Sequence, residues 1–353
     1  MSGGNPGDTM GFPNLPLFAI DVGRGTQDIL LYDPATPPEN AVKLVLPSPN
    51  VIVARQIEQA ATAGRDIFLD GQVMGGGANT QAISKAIAAG IRVCVTPKAA
   101  PTIKDNPDMV RARGIEIVDT PPEDCVEIRT ADYMGAQLKA ALSPFGIGVP
   151  EQVAIAVQDH GFSPDRSNRE FRFLCFEEML AKGDWDIFAL APDPPHPSMT
   201  RMQSVQQQAP GSLVTDTGPV AVIGALCDPV VARHAEEGIT IVNIGNGHTL
   251  GFTIKGTRVC GMFEHHTGAL TKESLARYLK KLQDGTITRQ EVFDDHGHGA
   301  AVNRPLETTF TVATGPNRAR LLPDAYQAAP FGDMMLTGCF GLLNVWSRRR
   351  GDL

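Results

Sequence analysis

Short apolar runs and glycine turns follow one another in the same order twice along the chain. In the first half, residues 17–21 (LFAID) read as a buried strand and residues 29–33 (ILLYD) as its return, with a tight turn at Gly23, Gly25 and Thr26 between them. A third strand is expected over 42–46. Ser48 and Asn50 then stand where they would cap a helix running to Gly64, and a further strand over 66–69 enters the glycine-rich run 71–77. The second half begins again with a strand over 239–243 (ITIVN), a turn at Gly245, Gly247, His248 and Thr249, and a return over 250–254. A strand over 258–263 follows. Thr271 caps a helix whose Leu275, Tyr278, Leu279 and Leu282 form one apolar stripe, with Gly285 just past its end. A strand over 309–313 closes the set at Thr314-Gly315-Pro316.

Either glycine hairpin alone is a common connection between strands. The shared order of elements predicts a duplicated α/β lobe. Between the copies, 153–157 reads as a buried strand, 167–180 as a helix, 192–197 as a proline-rich break and 219–226 as a short apolar helix that crosses into the second lobe.

These strings resemble the actin-like ATPase superfamily. Residues 21–28 (DVGRGTQD) look like its first phosphate loop, 243–249 (NIGNGHT) like its second, 219–226 like its connecting helix, and 314–316 like its adenosine-contacting turn. The resemblance implies a two-lobed α/β actin-like ATPase fold, a duplicated βββαβα (ribonuclease H-like) unit with an interlobe cleft. The expected division is a flexible leader over 1–14, an N-terminal lobe over 15–218 and a C-terminal lobe over 219–353. Almost the whole chain also resembles a prokaryotic family of unknown function labelled "putative pyruvate formate-lyase activating enzyme". That likeness rests on 158–161 (QDHG), 167–169 (SNR), 200–202 (TRM), 245–249 (GNGHT), 264–267 (EHHT) and 332–338 (GDMMLTG). Glycyl-radical activases hold an iron–sulfur cluster on a C-x-x-x-C-x-x-C loop. Cys94, Cys125, Cys175, Cys227, Cys260 and Cys339 are all isolated here, so that chemistry is not expected.

The resemblance assigns roles that suit the residue types. Glycines let backbone amides approach a phosphate without interference from Cβ. Gly23, Gly25, Thr26, Gly245, Asn246, Gly247, Thr249 and Gly315 are therefore the expected contacts for ATP or another phosphate ligand. Asp21 is placed to hold Mg²⁺ through water, with Asp28 beside it to steady the turn and share the cation. Asn243 stands where the superfamily usually has Asp. Residues 74–77 offer a second anion site at a helix N-terminus. Asp159 is the expected general base, with Arg169, Arg172 and Arg201 to neutralise a further anion or, for Arg172, to form a structural ion pair.

Six of the eight histidines, His160, His248, His265, His266, His296 and His298, lie in short polar strings that also carry an acid or glycine. Neutral imidazoles beside carboxylates suit a transition metal or acid–base work. His248 inside the second loop is an expected catalytic group, and Glu264, His265 and His266 are expected metal ligands near it. Three functions stay open at this stage: an ATPase or small-molecule phosphotransferase, a metal-dependent hydrolase or transferase that does not use ATP, and a non-catalytic nucleotide switch.

Composition narrows the classes. The chain has 353 residues with 42% hydrophobic and 20% charged positions, enough for two ordinary cores. A formal net charge of −8 with no compensating basic stripe argues against a nucleic-acid partner. The run Arg348, Arg349 and Arg350 reads as a solvated tail. No stretch is apolar enough to span a bilayer, and the start lacks the basic and apolar regions of a signal peptide, so the expected location is cytoplasmic.

Overall fold

The computed structural model describes residues 11–350, whose fifteen strands form three sheets. The strands are Leu17–Val22 (β1), Thr26–Tyr32 (β2), Val42–Pro47 (β3), Ile67–Gly71 (β4), Val93–Val95 (β5), Glu116–Ile117 (β6), Val126–Thr130 (β7), Val153–Val157 (β8), Leu213–Thr215 (β9), Ile239–Ile244 (β10), His248–Lys255 (β11), Arg258–His266 (β12), Gly299–Val302 (β13), Thr311–Thr314 (β14) and Tyr326–Gln327 (β15).

The first sheet runs β3-β2-β1-β8-β9 and the second β13-β12-β11-β10-β14-β15. In each, two hairpins give an antiparallel meander, and the strand that opens it also pairs in parallel with the next one inward: β1 with β8, and β10 with β14. A second parallel strand follows on that side, β9 in one sheet and β15 in the other. Apart from the extra edge strand β13, the two orders coincide. This is the duplicated two-lobed architecture expected from the repeated pattern.

One expectation is corrected. The strand after the first helix, β4, does not join the first sheet. It pairs in parallel with β5 and β7 in a separate four-stranded sheet, β6-β5-β4-β7, with a core of its own around Ile57, Ile67, Leu69, Ile83 and Val95. The matching strand of the first lobe is β8, some eighty positions later. Residues between β3 and β8 are an insertion carrying that third sheet. The proposed lobe division at 218/219 falls just inside the helix Thr217–Ala225.

Continuous apolar strands mark sheets covered on both faces. On β1, Leu17 and Ala19 enter the core shared by both lobes, whereas Phe18 and Ile20 enter a second core with Met199, Met202 and Val205. Helices Thr217–Ala225 and Thr337–Arg350 cross within the shared core. Their backbones touch there. A Cβ on Gly224 would lie 1.7 Å from the Thr337 carbonyl oxygen, and one on Gly341 1.9 Å from that of Val220. Only glycine permits this approach.

Both expected tails differ from the structure where it describes them. Positions 1–10 of the leader lie outside the described residues, but Phe12 packs against Tyr32, Phe331 and Phe340. The arginine run is the last turn of a helix. Arg348 pairs with Asp186, Arg350 pairs with Asp193, and Arg349 donates to the Ala191 and Phe188 carbonyls. Among the described residues no helix is long and apolar enough to cross a membrane.

Candidate functional site

The two glycine turns meet at their tips. Each connects the opening hairpin of its sheet, and each is closed by one backbone bond, from the Gly23 amide to the Thr26 carbonyl and from the Gly245 amide to the His248 carbonyl, both 2.9 Å. A Cβ on Gly25 would sit 3.2 Å from Asn246 Nδ2, and one on Gly247 3.2 Å from Arg24 Cδ. Arg24 and Asn246 therefore fill the space directly between the turns, and room for a ligand lies on the flanks. Among the described residues, the amides of Arg24, Gly25, Asn246 and Gly247 and the exposed Arg24 guanidinium form no hydrogen bond to protein. The Arg24 carbonyl is held by Asn50 Nδ2 at 2.8 Å and Ser48 Oγ at 3.1 Å, so Ser48 steadies the turn rather than capping its helix by its side chain.

One flank is a small cavity of about 100 Å³ lined by Asp21, Asp28, Asn243, Gly315, Thr337 and Gly338, among others. Asp21 Oδ1 and Asp28 Oδ1 are buried without a partner. Burial holds the Asp21 carboxyl well above its usual range, with Asp28 and Asp216 adding repulsion. Burial also raises Asp28 to about 7, with the Thr26 hydroxyl working against it and Asp333 for it. Gly315, at φ +89°, lets its turn approach the Ile244 carbonyl, where a Cβ would be 2.5 Å away. Thr249 is turned elsewhere: its hydroxyl bonds Thr267 Oγ1 at 3.0 Å and it is fully buried.

The other flank is a cavity of about 490 Å³ between the sheets, lined by the turns, residues 73–77, 101–105 and 158–161, and His248 and His266. Beside it four imidazoles gather. His160 follows β8, His248 opens β11, His266 ends β12 and His298 precedes β13. His160 Nε2 lies 3.1 Å from His298 Nε2. The ring centroids of His248 lie 5.5 Å from His160, 4.9 Å from His298 and 4.8 Å from His266. Burial lowers the pKa of all four, His160 to about 3, so each is neutral near pH 7.

Of the expected metal ligands, only His266 joins this group. Neighbouring strand residues point to opposite faces. His265 accordingly faces Tyr278 and Asp295 on the far side of β12. Glu264 is committed to a buried network in which Arg172 Nε donates to it at 2.8 Å and the other guanidinium nitrogens hold Asp216 at 2.6 and 2.9 Å. Burial opposes the charge on Arg172, but Asp216 and Glu264 raise its pKa further. Asp216 also caps the helix Thr217–Ala225 and accepts the Asp159 amide at 3.2 Å. The network ties the loop after β8 to β12, and so one sheet to the other.

Asp159 does not fit the role of base. Its two oxygens accept the amides of Gly161 at 2.8 Å and Met202 at 2.9 Å, which makes it a brace for the 158–161 loop. Arg201 is similarly engaged, gripping Asp132 with two bonds of 2.7 and 2.8 Å. Arg169 donates to the Gly297 carbonyl. The anion site expected at 74–77 is met by the protein itself, since Asp132 accepts the Gly75 amide, Thr80 Oγ1 the Gly77 amide and Asn50 the Ala78 amide. Asp132 and Asp216 carry much of this architecture and were not singled out in the sequence. Asp216 had a signal, an Asp two residues before the Gly-Pro that starts an apolar helix; Asp132 had none.

A family model described as "Putative pyruvate format-lyase activating enzyme (DUF1786)" matches residues 74–320. No curated protein matches the chain. Solved structures similar to it include a protein of actin-like ATPase fold and unknown function from Bacteroides thetaiotaomicron, 7% identical, covering 93% of this chain and 96% of that one with a TM-score of 0.37. An inorganic polyphosphate/ATP-glucomannokinase from Arthrobacter sp. is 11% identical over 94% and 97% of the two chains, with a TM-score of 0.34. A putative N-acetylmannosamine kinase from Listeria monocytogenes is 9% identical over 95% and 100%, with a TM-score of 0.37. The fold assignment rests on the strand orders of the two sheets. All six cysteines are free, and among the described residues no three of them come together, so the donor set does not suit an iron–sulfur cluster.

Proposed function

We propose that this chain, which belongs to the DUF1786 family, binds a nucleotide or other phosphate ligand with Mg²⁺ in its interlobe cleft and acts as an ATPase or small-molecule phosphotransferase. The observation that carries the proposal is the conjunction at the turn tips: four amides and one guanidinium without protein acceptors, beside two buried carboxylates that each leave one oxygen without a donor. Free donors call for an anion, and unpaired buried carboxylates call for a cation or protons. A phosphate with its magnesium supplies both.

We place the phosphate beside the turn tips on the Asp21 and Asp28 side, because Arg24 and Asn246 occupy the gap between the tips, with the rest of the ligand in the larger cavity, which shares Gly23, Arg24, Gly245 and Asn246 with the smaller one. The larger cavity falls within the range of about 300–1,000 Å³ usual for small-molecule sites. Asp21 and Asp28 are the residues that would hold Mg²⁺, and their orphaned oxygens fit it. When bound, the ion would neutralise charge on the phosphate oxygens. Asn243 contributes no charge, so the first turn carries the cation-binding role alone.

The test is isothermal titration of full-length protein with ATP, ADP and pyrophosphate, each with and without Mg²⁺. Magnesium-dependent binding that disappears in Asp21→Ala is the expected result. Absence of heat for all three ligands, with no shift in melting temperature, would end the proposal.

A further inference from the structure

We infer that His160, His248 and His298 form a three-imidazole site for a borderline divalent cation, zinc in the first instance, with its open position facing the 490 Å³ cavity. One donor nitrogen from each of the three lies within 4.8 Å of the others. A tetrahedral metal with bonds of about 2.0–2.1 Å sets neighbouring nitrogens roughly 3.4 Å apart. His160 and His298 already stand at 3.1 Å. Small side-chain rotations bring the third nitrogen into place.

Hydrogen bonding within the cluster does not account for it. Two neutral rings at 3.1 Å share one proton, which leaves His248 Nε2 and His298 Nδ1 buried and unpaired. An unpaired buried polar atom costs about 1–3 kcal/mol, and two in one cluster are unusual. A cation on His248 Nε2 removes one of them.

Two further features point to an open rather than a structural site. His160 and His248 line the cavity while His298 lies behind them, so the three protein ligands leave one side of the ion toward the cavity. Structural zinc sites are closed by four protein ligands, whereas three-ligand sites keep a position for water or substrate. His266 stands next to the group, outside the donor set, and lines the same cavity. Behind the imidazoles the Arg172 guanidinium is paired with two carboxylates, Asp216 and Glu264. The absence of carboxylate and thiolate ligands favours zinc, copper, nickel or iron(II) over magnesium or calcium. The ligands come from both sheets, so metal uptake would tie the lobes together.

The site differs from the magnesium position at Asp21 and Asp28, and its test needs no nucleotide. Full-length protein is stripped with dipicolinate and titrated with CoCl₂, whose visible spectrum reports tetrahedral nitrogen coordination. The expected result is one equivalent of cobalt per chain, displaced by ZnCl₂. His248→Gln should weaken uptake by about a hundredfold or more, and His265→Gln, on the opposite face of β12, should titrate like the wild type. X-ray absorption of the zinc-loaded wild type should show three histidine nitrogens at about 2.0 Å, a result that stands even if a variant fails to fold. The inference is overturned if the wild type takes up less than about a tenth of an equivalent of either metal, if His248→Gln binds as tightly as the wild type, or if the absorption data place fewer than three imidazoles on the zinc.

Discussion

Replacing Asp28 with Asn is expected to stabilise the free protein at neutral pH. The carboxylate lies on β2 facing Asp21 of β1, with the Thr26 hydroxyl, Asp333 and Cys339 around it. Its pKa rises from 3.8 in the free residue to about 7, mainly because burial penalises the charge. Below the lower value both folded and unfolded chains are protonated, and the group costs nothing. Between the two values only the unfolded chain ionises, so folding loses about 1.4 kcal/mol for each pH unit. The loss is complete above the upper value. It amounts to about 4 kcal/mol at about pH 8 and about 1 kcal/mol at about pH 4.5, as an order of magnitude. Asn keeps the shape and removes the titration, so urea unfolding followed by the fluorescence of Trp185 and Trp346 should show Asp28→Asn more stable by several kcal/mol at the higher pH, with the gap closing at the lower. Saturating Mg²⁺ should narrow the gap by stabilising only the wild type. Equal stability at about pH 8, or a difference that does not shrink on acidification, would refute the argument that the site is held in electrostatic debt until a cation arrives.

Arg172→Met should destabilise the protein by about 3–5 kcal/mol in the same assay, because it strands Asp216 and Glu264 in a site with no exposure. Gly341→Ala should cost at least about 1–3 kcal/mol, since its Cβ would collide with the Val220 carbonyl and force the two crossing helices apart; a change under about 0.5 kcal/mol would mean that contact is loose. Arg24→Ala should weaken binding of pyrophosphate with Mg²⁺ by about ten- to a hundredfold and flatten its salt dependence, as measured by calorimetry, while leaving the melting temperature of the free protein near that of the wild type.

The duplicated meander was legible because local signals coincide there. Glycine turns, apolar strands and the stripe on Lys272–Asp284 each specify their own element, and Thr271 and Gly285 end that helix as their residue types suggest. The destination of β4 was not legible. Its short apolar run suits either sheet, and the choice depends on pairing with β5 and β7, which the local sequence does not encode. Residues 158–161 and 248 line the larger cavity, where strand ends were expected to open. The metal expectation failed at Glu264 because Arg172 already holds it, and at the pair His265 and His266 on a simple parity. Consecutive residues of β12 face opposite ways, so at most one of the adjacent histidines reaches any one site. Strand alternation alone was enough to exclude the pair. The partners of His248, by contrast, come from 88 residues before it and 50 after, as numbered in the chain, and no spacing rule joins them.

The lobes are held at three levels, and the levels differ in how they can yield. At the floor, the helices touch backbone to backbone through Gly224 and Gly341, a contact with no side chain to rearrange. In the middle, Arg172 spans the sheets with short bonds to Asp216 and Glu264, and breaking it exposes three buried charges at once. At the mouth, Arg24 and Asn246 reach across between the turns, and among the described residues neither forms an ion pair across the gap. The cheapest motion is therefore at the mouth, where two side chains swing aside while the floor and middle stay shut. On the proposed reading, a phosphate on the flank of the tips would meet the free amides of both turns without breaking that contact, so binding would brace the mouth rather than open it.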